Sequence, residues 1–71
     1  MSTAIIDKVY KHFKNGERYR VLHLATHAEM DGMDLVVYRN EASGKVYARS
    51  RLGFEEKVGS VDRFTLVEDA P

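Results

Sequence analysis

Asn15-Gly16 is the strongest constraint on this chain, because the residues around it fit two incompatible structures. Read backwards from it, Ile5, Ile6, Val9 and Phe13 lie at i, i+1, i+4 and i+8, one face of a helix that Ser2 or Thr3 would cap and Gly16 would close. Read as a turn, Asn-Gly is the preferred pair of a two-residue type I′ hairpin, since both positions need φ > 0. The flanks decide for the hairpin. Val9, Lys11 and Phe13 alternate with Tyr10, His12 and Lys14, and Arg18 to Leu24 is rich in aromatic and branched residues that prefer a pleated surface. Residues 2–8 are left as a short helical turn or a loose arm.

The punctuation then repeats. Ala28 to Gly32 reads as a loop ending in an Asp-Gly turn signal, and Met33 to Arg39 holds the dense strand candidate Leu35-Val36-Val37-Tyr38. Asn40 to Gly44 turns the chain, and Lys45 to Arg51 is a further strand. Gly53 marks a break, Phe54 to Val58 a short strand or bend, and Gly59-Ser60 another turn before a last strand, Val61 to Val67. Strands at this spacing, with no long helical segment, predict a small barrel or sandwich. One domain is expected over 9–67, with an arm at 1–8 and a frayed tail at 68–71.

A chain of 71 residues has little core to draw on, and with no cysteine it has no disulfide to add. Three scattered histidines and no thiolates argue against a metal, so self-association, such as a homodimer, is the remaining source of extra stability. No signal peptide is visible and no apolar run approaches the ~20 residues of a membrane helix, which makes a cytoplasmic protein without membrane partners the expectation. Eleven basic residues balance eleven acidic ones, so no global field draws in nucleic acid. The charges are uneven, however. Lys8, Lys11, Lys14, Arg18 and Arg20 crowd the first hairpin, and Arg39, Lys45, Arg49 and Arg51 the second. Such segments either form a positive face or neutralise each other across a sheet, and cross-strand neutralisation is the commoner arrangement.

Several short stretches resemble an uncharacterised, mainly bacterial family, the domain of unknown function 1653. They are Tyr10-Lys11-His12-Phe13-Lys14 with Gly16 close by, Tyr19-Arg20-Val21-Leu22, Ala25-Thr26-His27-Ala28-Glu29, Val36-Val37-Tyr38, Arg49, Phe54-Glu55-Glu56 and Arg63-Phe64, in the family's order. Ser50 stands where the family usually has proline. The resemblance implies a compact domain of SH3-like shape and no established activity. The expected fold is therefore all-β: an SH3-like barrel or a strongly curved antiparallel sheet of about five strands.

Few residues carry chemistry. His27 and Glu29 sit two apart where a strand gives way to a loop, a weak acid–base or metal signal whose bland counterpart is a histidine hydrogen-bonded to its own loop. Tyr10 and His12 form an exposed polar-aromatic face in the hairpin reading, while Tyr38 and Tyr47 come from strands that should pair, with Arg49 beside them, and all three tyrosines read equally well as core residues. Rings next to a guanidinium can stack a planar ligand and contact an anion. Arg49 and Arg51, on one strand face, are either a phosphate-reading pair or, the commoner arrangement, partners for Glu55 or Glu56, and Tyr19, Val37 and Phe64 are expected in the core. Met30 and Met33 are equally readable as partner anchors or as flexible filler. With no phosphate loop, zinc ligand set or nucleophile elbow, an enzyme and a cofactor are not expected. The leading expectation is a non-catalytic module that binds a protein or peptide through Tyr10, His12, Tyr38, Tyr47 and Arg49. RNA through the same face is one alternative, and a small-molecule or metal site at His27 and Glu29 is another.

Overall fold

A computed structural model describes residues 4–67. The start of the predicted arm and the predicted frayed tail at 68–71 lie outside the described residues. The elements are β1 (Val9–His12), β2 (Arg18–Thr26), β3 (Asp34–Asn40), β4 (Val46–Ser50), α1 (Arg51–Glu55), β5 (Lys57–Val58), β6 (Val61–Asp62) and β7 (Phe64–Leu66). Five strands form one antiparallel sheet in the order β4-β3-β2-β1-β7, and β5 pairs with β6 as a separate two-stranded ribbon. The all-β expectation holds. The sheet is strongly curved without closing into a barrel: β4 and β7 are its two edges, yet the Arg49 guanidinium of β4 comes within 6.0 Å of the Phe64 ring centroid of β7.

The chain does reverse at Asn15-Gly16, but through a longer connection than a two-residue turn. Tyr10 pairs with Tyr19 and Lys11 with Arg18, while the Gly16 N–H donates to the His12 carbonyl, so residues 13–16 form the loop. Gly16 alone takes positive φ (+70°), as the last residue of a four-residue loop requires. Asn15 instead spends its side chain, Oδ1 accepting from the Glu17 N–H at 2.8 Å. Its Nδ2 donates to the Glu17 carboxylate. His12 Nδ1 accepts from the Lys14 N–H at 3.1 Å. These side-chain acceptors satisfy loop donors that a tighter turn would leave to solvent. The β3–β4 hairpin repeats the plan, Asn40 Oδ1 accepting from the Ala42 and Ser43 N–H groups ahead of a positive-φ Gly44. The two-residue turn occurs later, at Gly59-Ser60 between β5 and β6, with Gly59 at φ +66° as the first position of a type II′ turn demands.

Two further sequence expectations change. The predicted strand or bend at 54–58 is split between α1 and β5. Ser50 caps the helix, its hydroxyl accepting from the Gly53 N–H at 3.1 Å, and its φ of −58° is one that proline also adopts. No helix forms in residues 4–8: the Lys8 N–H donates to the Ile5 carbonyl across a turn with Asp7 at φ +70°.

The concave face carries the core. Tyr10, Tyr19, Val21, Val36, Tyr38 and Phe64 point into it from the sheet, Phe54 comes down from α1, and Ala4 covers one end. Val36, not Val37, is the buried member of its pair, because β3 alternates inward at Val36, Tyr38 and Asn40. An extra residue in β2 between Val21 and His23 bulges the strand and adds local twist. Phe54 and Phe64 stack at 4.1 Å with an interplanar angle of 6°, and Tyr10 and Tyr38 meet Phe54 edge-on.

Phe54 supplies the helix's buried side chain, whereas neighbouring Leu52 is 78% exposed. Phe54→Ala should therefore cost about 3–5 kcal/mol, enough to leave a domain this small largely unfolded, while Leu52→Ala stays within about 0.5 kcal/mol of the parent. Urea titration followed by circular dichroism compares them, and equal midpoints would mean that α1 does not close the core. Gly16→Ala places a side chain at φ +70° and should lower stability by about 1–2 kcal/mol in the same assay.

Candidate functional site

Alternation along the strands decides which side chains share the concave face. Tyr38 lies directly opposite Tyr47, Val36 opposite Arg49, and His12 opposite Phe64, and residues facing each other across a ladder project to the same side. The core fills one end of this face. At the other end, His12, Tyr19, Tyr38, Tyr47, Arg49 and Phe64 surround an open hollow of about 200 Å³. All five strands of the sheet contribute to it.

The rings lock each other in place. Tyr38 and Tyr47 stack at 5.7 Å and 24°, Tyr19 meets Tyr38 and Phe64 edge-on, and His12 sits edge-on to Phe64 at 4.9 Å. Behind them, the Glu17 carboxylate accepts from the Tyr19 hydroxyl and from Nδ2 of the buried Asn40. This ties the two hairpins together. Arg49 differs from the arginines around it. Arg20 pairs with Asp7 and Glu41, Arg39 with Glu41, Arg51 with Glu55, and Arg63 with Glu56. The half-buried Arg49 makes no hydrogen bond or ion pair among the described residues, and of the carboxylates expected for it Glu55 pairs with Arg51 and Glu56 with Arg63.

His12 is the titratable group of the hollow. Burial pushes its pKa below the ordinary 6.5, and the charges of Arg49, Arg63 and Lys14 push it further down, against a smaller opposite effect of Glu17. Its Nδ1 already accepts from Lys14, so the neutral ring carries its hydrogen on Nε2.

Of the residues singled out in the sequence, the structure brings together His12, Tyr38, Tyr47 and Arg49. It removes Tyr10 from any exposed face: the ring is fully buried against Phe54, and burial raises its phenol pKa, while its oxygen accepts from the Ile5 N–H at 2.8 Å. Tyr19 and Phe64, read as core, are buried but also line the hollow. Cross-strand pairing with β1 places them there: Tyr19 faces Tyr10, two residues from His12, and Phe64 faces His12. His27 and Glu29 stand elsewhere. His27 Nδ1 accepts from the backbone N–H groups of Glu29 and Met30, the same loop-capping role that Asn40 plays, and among the described residues no three His, Cys, Asp or Glu side chains converge as metal ligands.

A larger groove, about 450 Å³, runs between the β2–β3 loop and α1 along Met30, Met33 and Leu52, with Asp31, Asp34 and Glu55 on its walls. Its polar groups do not converge, and its arginine, Arg51, is already paired with Glu55. Size alone does not make it the better site.

The fold defines a small, mostly β domain with an open aromatic hollow, and a family comparison places the chain further. The model for protein of unknown function (DUF1653) matches residues 8–66, so the chain belongs to that family. No curated protein and no solved structure matches it.

Because folded His12 holds a proton less readily than the unfolded chain, its contribution to stability is complete above pH 6.5 and is lost as pH falls through the lowered folded pKa. His12→Asn keeps an acceptor for the Lys14 N–H, as Asn40 does in the second hairpin, but cannot titrate. The urea midpoint of the parent should fall more steeply from pH 7 to pH 5 than that of His12→Asn. Parallel curves would show that His12 is not the group responsible.

Proposed function

We propose that this domain is a small non-catalytic β module that recognises a protein or peptide partner through the hollow. The observation that carries this reading is Arg49: a half-buried guanidinium set among aromatic rings with no hydrogen-bond or ion-pair partner among the described residues. A buried or half-buried charge is usually paired, since losing hydration is costly. Here the missing half of the pair is supplied from outside.

Three features favour a peptide over RNA. Single strands are held on successive exposed ring faces, whereas Tyr10, Tyr19, Tyr38, Phe54 and Phe64 are buried. The chain's formal net charge is zero, so it has no general attraction for a polyanion. Tyr47 and Arg49 lie on β4, an edge strand. The Asn40 N–H bonds to the Lys45 carbonyl, which puts Tyr47 and Arg49 in the bonded positions toward β3 and turns the backbone groups of Val46 and Ala48 outward. An extended peptide can add there as a further strand, with a side chain reaching into the hollow. Catalysis finds little support: the His12 ring is tied to the Lys14 N–H, and among the described residues lining the hollow there is no serine, threonine, cysteine or lysine to act as a nucleophile.

Panning a random peptide display library against the domain should enrich one motif. A synthetic peptide bearing it should lose about tenfold or more in affinity to Arg49→Ala and Tyr47→Ala, whose urea midpoints stay near the parent's. Failure to enrich any motif, together with oligouridylate binding that falls steeply with salt, would replace the peptide reading with the RNA one.

A further inference from the structure

Going one step deeper into the same reading, we propose that the hollow is an anion site: it accepts a carboxylate or phosphate on a stem about the size of one ring, the oxyanion meeting the Arg49 guanidinium and the Nε2–H of His12. The volume supports the size, since a cavity of about 150 Å³ holds benzene and this one is about 200 Å³ and open on one side. Ring edges and faces from Tyr38, Tyr47 and Phe64 would flank the stem.

The charge follows from the same geometry. An aromatic hollow without a cation of its own is a site for quaternary ammonium groups. This one already holds Arg49, 6.0 Å from the Phe64 ring centroid, so a second cation would meet both an occupied ring and a like charge. Burial is the main cause of the lowered proton affinity of His12, and beyond it Arg49, Arg63 and Lys14 disfavour positive charge there against a smaller effect of Glu17. Arg63 and Glu17 have partners within the fold, namely Glu56 for the first, and Asn15, Tyr19 and Asn40 for the second. Arg49 does not. A guanidinium presents a planar fork that matches two oxygens of a carboxylate or a phosphate, and a charge-assisted contact of this kind is stronger than a neutral one. On a peptide, the carboxylate would come from an acidic side chain or the C-terminus, and the phosphate from a phosphorylated residue.

The test uses small probes and needs no knowledge of the partner. Benzoate, phenyl phosphate, benzyl alcohol and tetramethylammonium are titrated into ¹⁵N-labelled domain, with the His12 ring followed by NMR across pH. Benzoate or phenyl phosphate should shift the amides of Tyr47 and Arg49 and raise the His12 pKa, because a bound anion offsets the positive field. Arg49→Gln should weaken that binding about tenfold or more, and Arg39→Gln, whose arginine is paired with Glu41, should not. Binding of benzoate alone assigns a carboxylate source, and binding of phenyl phosphate alone a phosphorylated one. The proposal is overturned if benzyl alcohol or tetramethylammonium binds as tightly as the anions. It also fails if Arg49→Gln leaves anion affinity unchanged, or if no probe binds at tens of millimolar. Anion binding without peptide enrichment would leave the site standing and remove the peptide reading. An enriched peptide lacking any anionic group would do the reverse.

Discussion

Phe54 lies flat on Phe64, and most of the fold depends on that contact. The two rings come from opposite ends of the sheet order: Phe54 belongs to the helix that directly follows edge strand β4, and Phe64 to the other edge strand, β7. Stacking them draws the edges of an open sheet toward each other and covers the concave face with a single turn and a half of helix. Aromatic pairs contribute about 0.5–1.5 kcal/mol beyond the area they bury. In a chain with no disulfide, the concentration of rings on one face is the main source of stability. Glu55, next to Phe54, extends the effect to the N-terminal segment, its carboxylate accepting from the Ala4 N–H at 2.8 Å and from Arg51 at 3.0 Å.

A second device recurs at three loops. His12 and Asn40 end their strands and His27 directly follows one, and each turns a side-chain acceptor onto backbone N–H groups two or three residues ahead. Imidazole Nδ1 and amide Oδ1 stand at nearly the same place relative to the backbone, so the two residue types can do the same work. This explains why two histidines that invite a chemical reading in the sequence are committed through Nδ1 to their own loops. His12 differs from His27 in where the other side of its ring faces: the register of β1 against β7 sets it opposite Phe64, at the rim of the hollow.

The hollow exists because the ring packing stops short. Tyr10, Phe54 and Phe64 fill one end of the concave face, while Tyr47 and Arg49, on the outer strand, have nothing beyond them to pack against. Curvature then turns an edge into a wall. The features proposed to recognise a partner are thus the places where the core ends: a half-covered ring and a guanidinium with no carboxylate partner among the described residues.

Much of the local structure was legible in the residues. The hairpins at Asn15-Gly16 and Asn40–Gly44, the strand at 35–38, the turn at Gly59-Ser60 and the pairing of Tyr38 with Tyr47 follow from alternation and turn chemistry, which act over a few neighbours. Three things did not follow. Loop length at Asn15-Gly16 depended on acceptors from His12 and Asn15, and it set Tyr10 against Tyr19, two residues away from the partner a tight turn would give. The five-residue helix is too short for any periodicity to announce it. Val37 was assigned to the wrong face, because alternation says only that neighbours point opposite ways, and Tyr10, on the same face as His12 as read, lies at the end of that face which the core fills.

The chain's own chemistry determined where it bends and which stretches extend, since glycine conformations and β-rich runs are short-range properties. Tertiary structure alone decided which face became the interior, which rings were buried and which half-buried arginine has no ion pair among the described residues. Those outcomes depend on how far the sheet curls and on which carboxylates lie within reach, and both are set by contacts between residues far apart in the chain.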